Sequence, residues 1–323
     1  MEKQYKYMPK PEFEERMKKL LPDKEDYRKF SEIVHKEPLN FIRCNTLKIS
    51  PSELKKRLEK KWEVEQPFSS CPEIMLIKTA LKPGELGKAE EHLFGHYYVQ
   101  ELSSMLSVLA LNPKENENVL DLCASPGSKT TQIAAKMKNT GLLIANDKSL
   151  GRIIVLASNM ERCGVSNVIM TQMEGISLCE RLKNKIKFDK ILVDAPCSGE
   201  GTLRSSPETF DIWNINMIHM LSGLQKRLVE AAIPLLKENG TLVYSTCTHA
   251  PEEDEEIVKF ILDNFPELRL EKIHLPVKCR EGVGKWNEKK FNFETEKVCR
   301  IYPQDNNSEG FFVAKFMKQQ KRI

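Results

Sequence analysis

Between residues 119 and 245, short apolar runs alternate with helix-length segments, and this rhythm limits the fold more than any other feature of the chain. The runs are Val119–Cys123, Leu142–Asn146, Val168–Thr171, Ile191–Asp194 and Thr241–Ser245. Each reads as a buried strand, and their spacing leaves room for one helix between neighbours. Gly164 and Gly240 stand where helices should stop before the third and fifth strands. The expectation is an α/β domain built on a doubly wound, mostly parallel sheet, whose ligands bind beyond the carboxyl ends of the strands.

The segment before this rhythm reads differently. Residues 11–36 carry Phe13, Met17, Leu20 and Leu21, then Tyr27, Phe30, Ile33 and Val34, at helical spacing. Phe41–Leu47 and Glu73–Ile77 read as strands. Between them Ser50-Pro51-Ser52-Glu53 opens a helix, with serine as cap, proline in the first turn and glutamate closing a capping box. These elements make a small α+β domain over residues 1–96, followed by a second domain over 97–323. Val99–Leu111 is expected to be an amphipathic helix leading into the second domain, ended by Asn112-Pro113. The last segment, from Arg300-Ile301-Tyr302-Pro303 to Phe316, reads as a closing antiparallel edge. Residues 279–298, with Trp286, Phe291 and Phe293 among lysines, read as a partly packed surface loop rather than a platform for stacking bases.

Composition narrows the class. No apolar run approaches the roughly 18 residues of a membrane span, and the first residues lack an apolar signal core, so a cytoplasmic protein is expected. The nine cysteines are odd in number and none forms a C-x-x-C pair, which argues against a disulfide framework or a zinc ribbon. No metal is expected, and His249 alone reads as a loop residue. The net charge of +4 does not demand a nucleic acid. Residues 1–60 hold 16 Lys+Arg against 11 Asp+Glu, and Lys318, Lys321 and Arg322 lie near the end. That basic surface is compatible with a polyanion, although on its own it reads first as a solvated lysine-rich face.

Three places carry chemistry. The first strand runs into Asp121-Leu122-Cys123-Ala124-Ser125-Pro126-Gly127-Ser128-Lys129-Thr130 and then a helix. This is neither the three-glycine dinucleotide fingerprint nor a P-loop, so pyrophosphate is disfavoured. A cofactor with a ribose and an amino-acid end fits the place better. Asp147, at the end of the second strand, is suited to hold ribose hydroxyls, with Arg152 nearby. Finally, Cys197 in Asp194-Ala195-Pro196-Cys197-Ser198-Gly199 and Cys247 in Ser245-Thr246-Cys247-Thr248 follow two strands that should be neighbours. Strand spacing of about 5 Å would bring both thiols to one substrate.

These residues resemble the Nop/Sun-type RNA cytosine-C5 methyltransferases (the RsmB/Nop family), archaeal transfer RNA enzymes among them. The likeness runs from Phe41-Ile42-Arg43-Cys44-Asn45-Thr46 and Tyr98-Val99-Gln100-Glu101 through DLCASPGSKTTQ, NDKSLGR, DAPCSGEGTLR and STCTHAPEED to the terminal RIYP and GFFVAKF. It implies a Rossmann-like methyltransferase sheet with an antiparallel edge strand, preceded by an RNA-binding domain, and S-adenosyl-L-methionine as cofactor. It also implies that Cys123, Ala124, Ser125, Pro126, Gly127, Ser128 and Lys129 surround the methionine end of that cofactor. Asp147 would hold the ribose, Glu174 would sit near the adenine where the family usually has Asp, and Asp194 would lie between cofactor and base. Gln304 stands where the family commonly has a histidine.

Carbon 5 of cytosine is a poor nucleophile, and addition of a thiolate at carbon 6 makes it enamine-like. A base must later remove the carbon-5 proton so that the thiolate can leave. By the family match Cys247 attacks and Cys197 assists elimination, while Asp194 holds the edge of the cytosine and Lys129 supports charge. A helix start after Pro251 would favour the Cys247 thiolate. The acids Glu252-Glu253-Asp254-Glu255-Glu256 oppose that effect, and their main role reads as a solvated, well-capped helix. DNA cytosine methyltransferases share the chemistry but place their nucleophile where Cys197 stands; the added Ser-Thr-Cys and the N-terminal domain favour RNA. Transfer RNA is the expected substrate, with ribosomal RNA and a non-catalytic RNA-binding assembly factor as alternatives.

Overall fold

The computed structural model describes residues 7–320; Lys321 and Arg322 of the basic terminus lie outside them. Helices α1 (Pro11–Leu20) and α2 (Lys24–Ile33) come first. They bury Phe13, Met17, Leu20, Leu21, Phe30 and Val34 against Leu203, Phe210, Trp213 and Tyr302 of the second half of the chain. Next come β1 (Asn40–Cys44), α3 (Pro51–Leu58), β2 (Val64–Glu65), β3 (Ile74–Ile77), the one-turn helices α4 (Glu85–Lys88) and α5 (Glu90–Leu93), and β4 (Tyr97–Val99). The four strands form an antiparallel sheet in the order β2-β3-β1-β4. Strand β4 thus belongs to the small sheet although its residues follow position 96. Ser50 caps α3 by accepting the Glu53 N–H at 3.2 Å. The Glu53 side chain does not close a capping box; it pairs with Arg57 one turn along at 2.7 Å.

Helix α6 (Leu102–Leu111) starts three residues later than expected, because Tyr97–Val99 pairs with β1. It is buried on nearly every side rather than amphipathic, Ser103 and Ser107 included. It lies against the large sheet. That sheet is built from β5 (Asn118–Asp121), α7 (Ser128–Lys136), β6 (Leu142–Asp147), α8 (Leu150–Cys163), β7 (Val168–Gln172), α9 (Gly175–Leu182), β8 (Phe188–Asp194), α10 (Thr209–Ile212), α11 (Ile215–Ala232) and β9 (Leu236–Thr246). The chain continues through α12 (Glu255–Asn264), β10 (Leu268–Glu271), the two-residue strands β11 (Lys285–Trp286) and β12 (Lys289–Lys290), β13 (Cys299–Ile301), α13 (Pro303–Asn306) and β14 (Phe311–Lys318).

The strand order is β10-β14-β9-β8-β5-β6-β7, with β13 also on β14. Strands β5 to β9 are parallel, as their spacing predicts. Alternate residues point to opposite faces. Leu120, Ile191, Val193, Leu242 and Tyr244 fill one core; Val119, Leu192 and Val243 fill the other. Strand β14 is antiparallel to β9, but it is not outermost: β10 and β13 cover its far side.

Three further expectations are corrected. Gly164 does end a helix, in the left-handed conformation (φ 72°), but Gly240 does not. Helix α11 stops at Ala232, a short 3-10 turn over Ile233–Leu235 follows, and Gly240 sits inside β9 where its register against β8 shifts. The cysteines are not all free: Cys279 and Cys299 form a disulfide. Spacing gave no hint of it, because the backbone pairing of Arg280 with Arg300 is what brings the two together. The acidic run is not a solvated helix start. Glu252, Glu253, Asp254 and Glu255 are buried, and α12 begins only at Glu255. Residues 279–298 are packed as expected, with Trp286 buried beneath the Arg16 guanidinium.

Candidate active site

Register alone brings the two thiols together. Asp194 at the end of β8 pairs with Ser245 near the end of β9, and the Ala195 N–H donates to the Ser245 carbonyl at 2.9 Å. The chain then runs three residues past β8 to Cys197 and one residue past β9 to Cys247. The Cys197 and Cys247 sulphurs lie 3.1 Å apart, and the Cys247 N–H points at the Cys197 sulphur at 3.3 Å. The contact with Cys247, together with burial, pushes the Cys197 thiol well above its ordinary range, so Cys197 keeps its proton.

The loops that carry the thiols are locked at one point. The Gly201 N–H donates to the Cys247 carbonyl at 2.9 Å, and the Gly310 N–H donates to the Gly201 carbonyl at 2.7 Å. A Cβ on Gly201 would run into the Gly310 carbonyl, and one on Gly310 into the ring of His249. Only glycine permits this approach. His249 is a loop residue, but a fully buried one, stacked on Tyr302 with ring centroids 4.8 Å apart. Burial holds its imidazole neutral, down to about 3, with Arg300 and Arg280 adding to the effect.

Beside the thiols lies a charged pair. Lys129, in the first turn of α7, meets Asp194 at 2.9 Å and donates to the Ser104 hydroxyl at 2.9 Å. Ser245 donates to the other Asp194 oxygen at 2.7 Å. Burial acts to lower the lysine, but Asp194 and then Cys247 outweigh it and hold the ammonium above its ordinary value.

The loop Cys123 to Lys129 turns over the end of β5 with a cis Ser125–Pro126 peptide. Gly127 has a φ of 105°, and a Cβ there would come within 2.8 Å of Met160 and 2.9 Å of Leu156. The loop thus lies close on α8. Arg152 donates to the Ser125 carbonyl at 2.5 Å and lies 3.4 Å from Asp147, whose other oxygen accepts the Ser149 N–H at 3.0 Å. Cys123, Asp147, Arg152 and Glu174 line one cleft together with Asn146, Pro196 and Leu228. Glu174, just before α9, is exposed at its rim. Of the residues singled out in the sequence, Cys123, Asp147, Arg152 and Glu174 line this cleft, while Lys129 and Asp194 pair beside the thiols and Ala124 to Ser128 do not line the cleft. Gln304 does not join them; it donates to Asp26 at 3.1 Å on the far side of Tyr302.

Sequence reasoning missed the residues that hold these groups. Ser104 and Ser245 fix Lys129 and Asp194. From the small sheet, buried Arg43 donates to the Ser128 carbonyl and the Thr131 hydroxyl, both at 2.7 Å. Arg43 lies in the Phe41–Thr46 motif of the resemblance, but nothing local marks it as reaching α7.

Fold and site define a methyltransferase of the Rossmann-like class with a paired-thiol centre. The 16S rRNA methyltransferase RsmB/F family matches residues 108–317, and the N-terminal domain of the 16S rRNA methyltransferase RsmF matches residues 9–102. The chain belongs to this family, the Nop/Sun-type RNA cytosine-C5 methyltransferases. It is 40% identical over 312 residues to the tRNA (cytosine(49)-C(5))-methyltransferase of Pyrococcus abyssi, covering 96% of this chain and 98% of that one. It is 39% identical to the ribosomal RNA small subunit methyltransferase F of Psychromonas ingrahamii, over 95% of this chain but 62% of that protein. Among solved structures, NSun6 from Pyrococcus horikoshii with SFG superposes with a TM-score of 0.83 at 26% identity, covering 97% of this chain and 99% of that one. A methyltransferase homolog protein from Pyrococcus horikoshii gives 0.80 at 33% identity, over 91% of each chain. Among the described residues no helix is long and apolar enough to cross a membrane.

Proposed function

We propose that this RNA cytosine-C5 methyltransferase takes its methyl group from S-adenosylmethionine, acts on cytoplasmic transfer RNA, and works through a bond between Cys247 and carbon 6 of the base. The observation that carries the reading is the thiol pair 3.1 Å apart, at the ends of adjacent parallel strands, beside a Lys129–Asp194 pair. Transfer RNA is favoured because the relative matched along nearly its whole length is a transfer RNA enzyme. The chain spans about three fifths of the ribosomal RNA relative.

The cleft suits the cofactor chemically. It offers a buried carboxylate at a strand end, apolar walls from Leu122, Pro196, Leu224 and Leu228, and a loop without a phosphate-binding pattern. Residues Cys123 to Lys129 would hold the methionine end, Asp147 the ribose, and Glu174 the adenine side, with Arg152 bracing the loop. Bound there, S-adenosylmethionine supplies an electrophilic methyl group. The protein's part is to make carbon 5 reactive. Cys247 adds to carbon 6, Asp194 holds the amino and ring-nitrogen edge of the cytosine, and Lys129 balances charge on the activated ring. For release, a base takes the carbon-5 proton, the carbon 5–carbon 6 double bond reforms, and the bond to Cys247 breaks with its electron pair on sulphur. Cys197, 3.1 Å from that sulphur, is placed to assist this elimination. Residues 1–96 act as the RNA-binding domain.

The test is methyl transfer to transfer RNA, to small-subunit ribosomal RNA fragments and to matched single-stranded DNA. The expected result is that Cys247→Ala abolishes transfer to the preferred RNA, whereas Cys197→Ala accumulates a covalent protein–RNA adduct on denaturing gels. Adduct accumulation by Cys247→Ala with loss of transfer by Cys197→Ala would reverse the assignment, and equal rates on DNA would remove the RNA reading.

A further inference from the structure

We infer that Gln225 and Glu253 are positioning residues for Cys197, holding the peptide groups on both sides of it so that its sulphur faces Cys247 during product release. The inference rests on the release role given to Cys197 above. Gln225, in the middle of α11, donates through Nε2 to the Pro196 carbonyl at 2.8 Å. The same nitrogen donates to Glu253 Oε2 at 2.8 Å, and that oxygen accepts the Ser198 N–H at 3.1 Å. The carbonyl before Cys197 and the N–H after it are therefore tied into one ring of hydrogen bonds by two side chains.

The ring is also fastened to the nucleophile's loop. Glu253 lies six residues beyond Cys247, and its own carbonyl accepts the Tyr244 hydroxyl at 2.6 Å from β9. The Ser198 and Thr248 hydroxyls are 2.7 Å apart, one residue past each cysteine. Gln225, Glu253 and Tyr244 are fully buried, and Ser198 nearly so. Packing alone does not explain such a choice. A buried carboxylate carries a desolvation cost that apolar side chains of the same volume would avoid. What the polar ring adds is direction: it fixes the peptide planes around Cys197 and hence the line from its sulphur to that of Cys247.

Attack by Cys247 and methyl transfer do not use Cys197, so a loosened ring should leave those steps and slow release. The test uses the full-length chain with the preferred RNA and labelled S-adenosylmethionine. It compares wild type, Cys197→Ala, Glu253→Ala, Glu253→Gln and Gln225→Met. Glu253→Ala and Gln225→Met are expected to lower steady-state turnover about tenfold and raise the adduct fraction several-fold, with single-turnover methyl incorporation within about threefold of wild type. Glu253→Gln retains an acceptor for Ser198 and Gln225, and should remain within about threefold of wild type in every readout. A loss that appears equally in the single turnover, or no loss at all, overturns the inference. If Glu253→Ala does not fold, Gln225→Met decides the matter alone, because it leaves the Glu253–Ser198 bond in place. If Cys197→Ala traps no adduct, the release role fails and the clamp with it. If Cys197→Ala traps adduct and the clamp variants do not, only the clamp fails.

Discussion

A carboxylate at the end of β5 gives the fold a pH dependence of unusual sign. Asp121 is buried, accepts from the Thr130 hydroxyl at 2.8 Å through one oxygen, and has no partner for the other among the described residues. Burial pushes it up to about 7; Thr130 opposes the shift, Asp194 and Asp147 add to it and Lys129 counters. The native state thus binds this proton more tightly than the unfolded chain. Its contribution is fully present below about pH 4 and declines as pH rises to 7, where a shift of this size corresponds to roughly 4 kcal/mol. Asp121→Asn keeps the acceptor for Thr130 and removes the ionisation. The melting temperature of the variant is expected to exceed that of wild type at pH 8, with the gap closing towards pH 4. A constant gap across that range would show that Asp121 does not titrate there. Residues of this kind mark what a sequence reveals and what it hides. Cys197, Cys247, Asp194 and Asp147 were legible because each ends or closely follows a strand whose pairing follows from its place in the alternation. Gln225 was not, being one polar residue in mid-helix, and Glu253 was masked by an acidic run whose local reading as a helix cap competes with distant partners.

The run Glu252 to Glu255 shows how an element can be misread from its own composition. Each carboxylate answers a different segment: Glu252 pairs with Arg16 of α1 at 2.7 Å, Glu253 with the Cys197 loop, Asp254 with Thr246 at 2.6 Å, and Glu255 with Arg300 of β13 at 2.6 Å. Long-range partners of this type leave no periodic trace. The insertion of β14 between β9 and β10 was hidden for the same reason, since only its antiparallel character is local. Strand β13 carries both Arg300 and Cys299, whose disulfide to Cys279 closes a sequence separation of 20 residues. Closing a loop of that length constrains the unfolded chain by about 3 kcal/mol, or about 5 °C in a domain of this size. Cys279→Ser, or reductant added to wild type, is expected to lower the melting temperature by that amount, and reductant should not affect the variant further. An unchanged melting temperature in both would mean that the bond does not constrain the chain in solution.

At the scale of the whole molecule, the division after residue 96 separates motifs better than it separates structure. The helices α1 and α2 contribute Phe13, Met17, Leu20 and Phe30 to a core completed by Phe210, Trp213 and Tyr302. Burying four such side chains contributes roughly 8 kcal/mol, comparable to the entire stability of an ordinary domain. Polar links cross at the same places. Arg16 meets Glu252, Asp26 accepts from Arg280 at 2.7 Å, and Arg43 braces the start of α7 behind Lys129. A fragment beginning at residue 97 would expose the apolar face of Phe210 and Trp213 and leave Glu252 without its arginine. It would also lose β1, the strand on which β4 pairs. Such a fragment is therefore expected to show no cooperative thermal transition and to bind S-adenosylmethionine at least about tenfold more weakly than the full chain, because the α7 loop has lost its brace. Calorimetry and equilibrium dialysis check both points. A fragment that melts cooperatively and binds normally would show that the large sheet folds without the small one, and that Arg43 is not needed to hold the loop before α7.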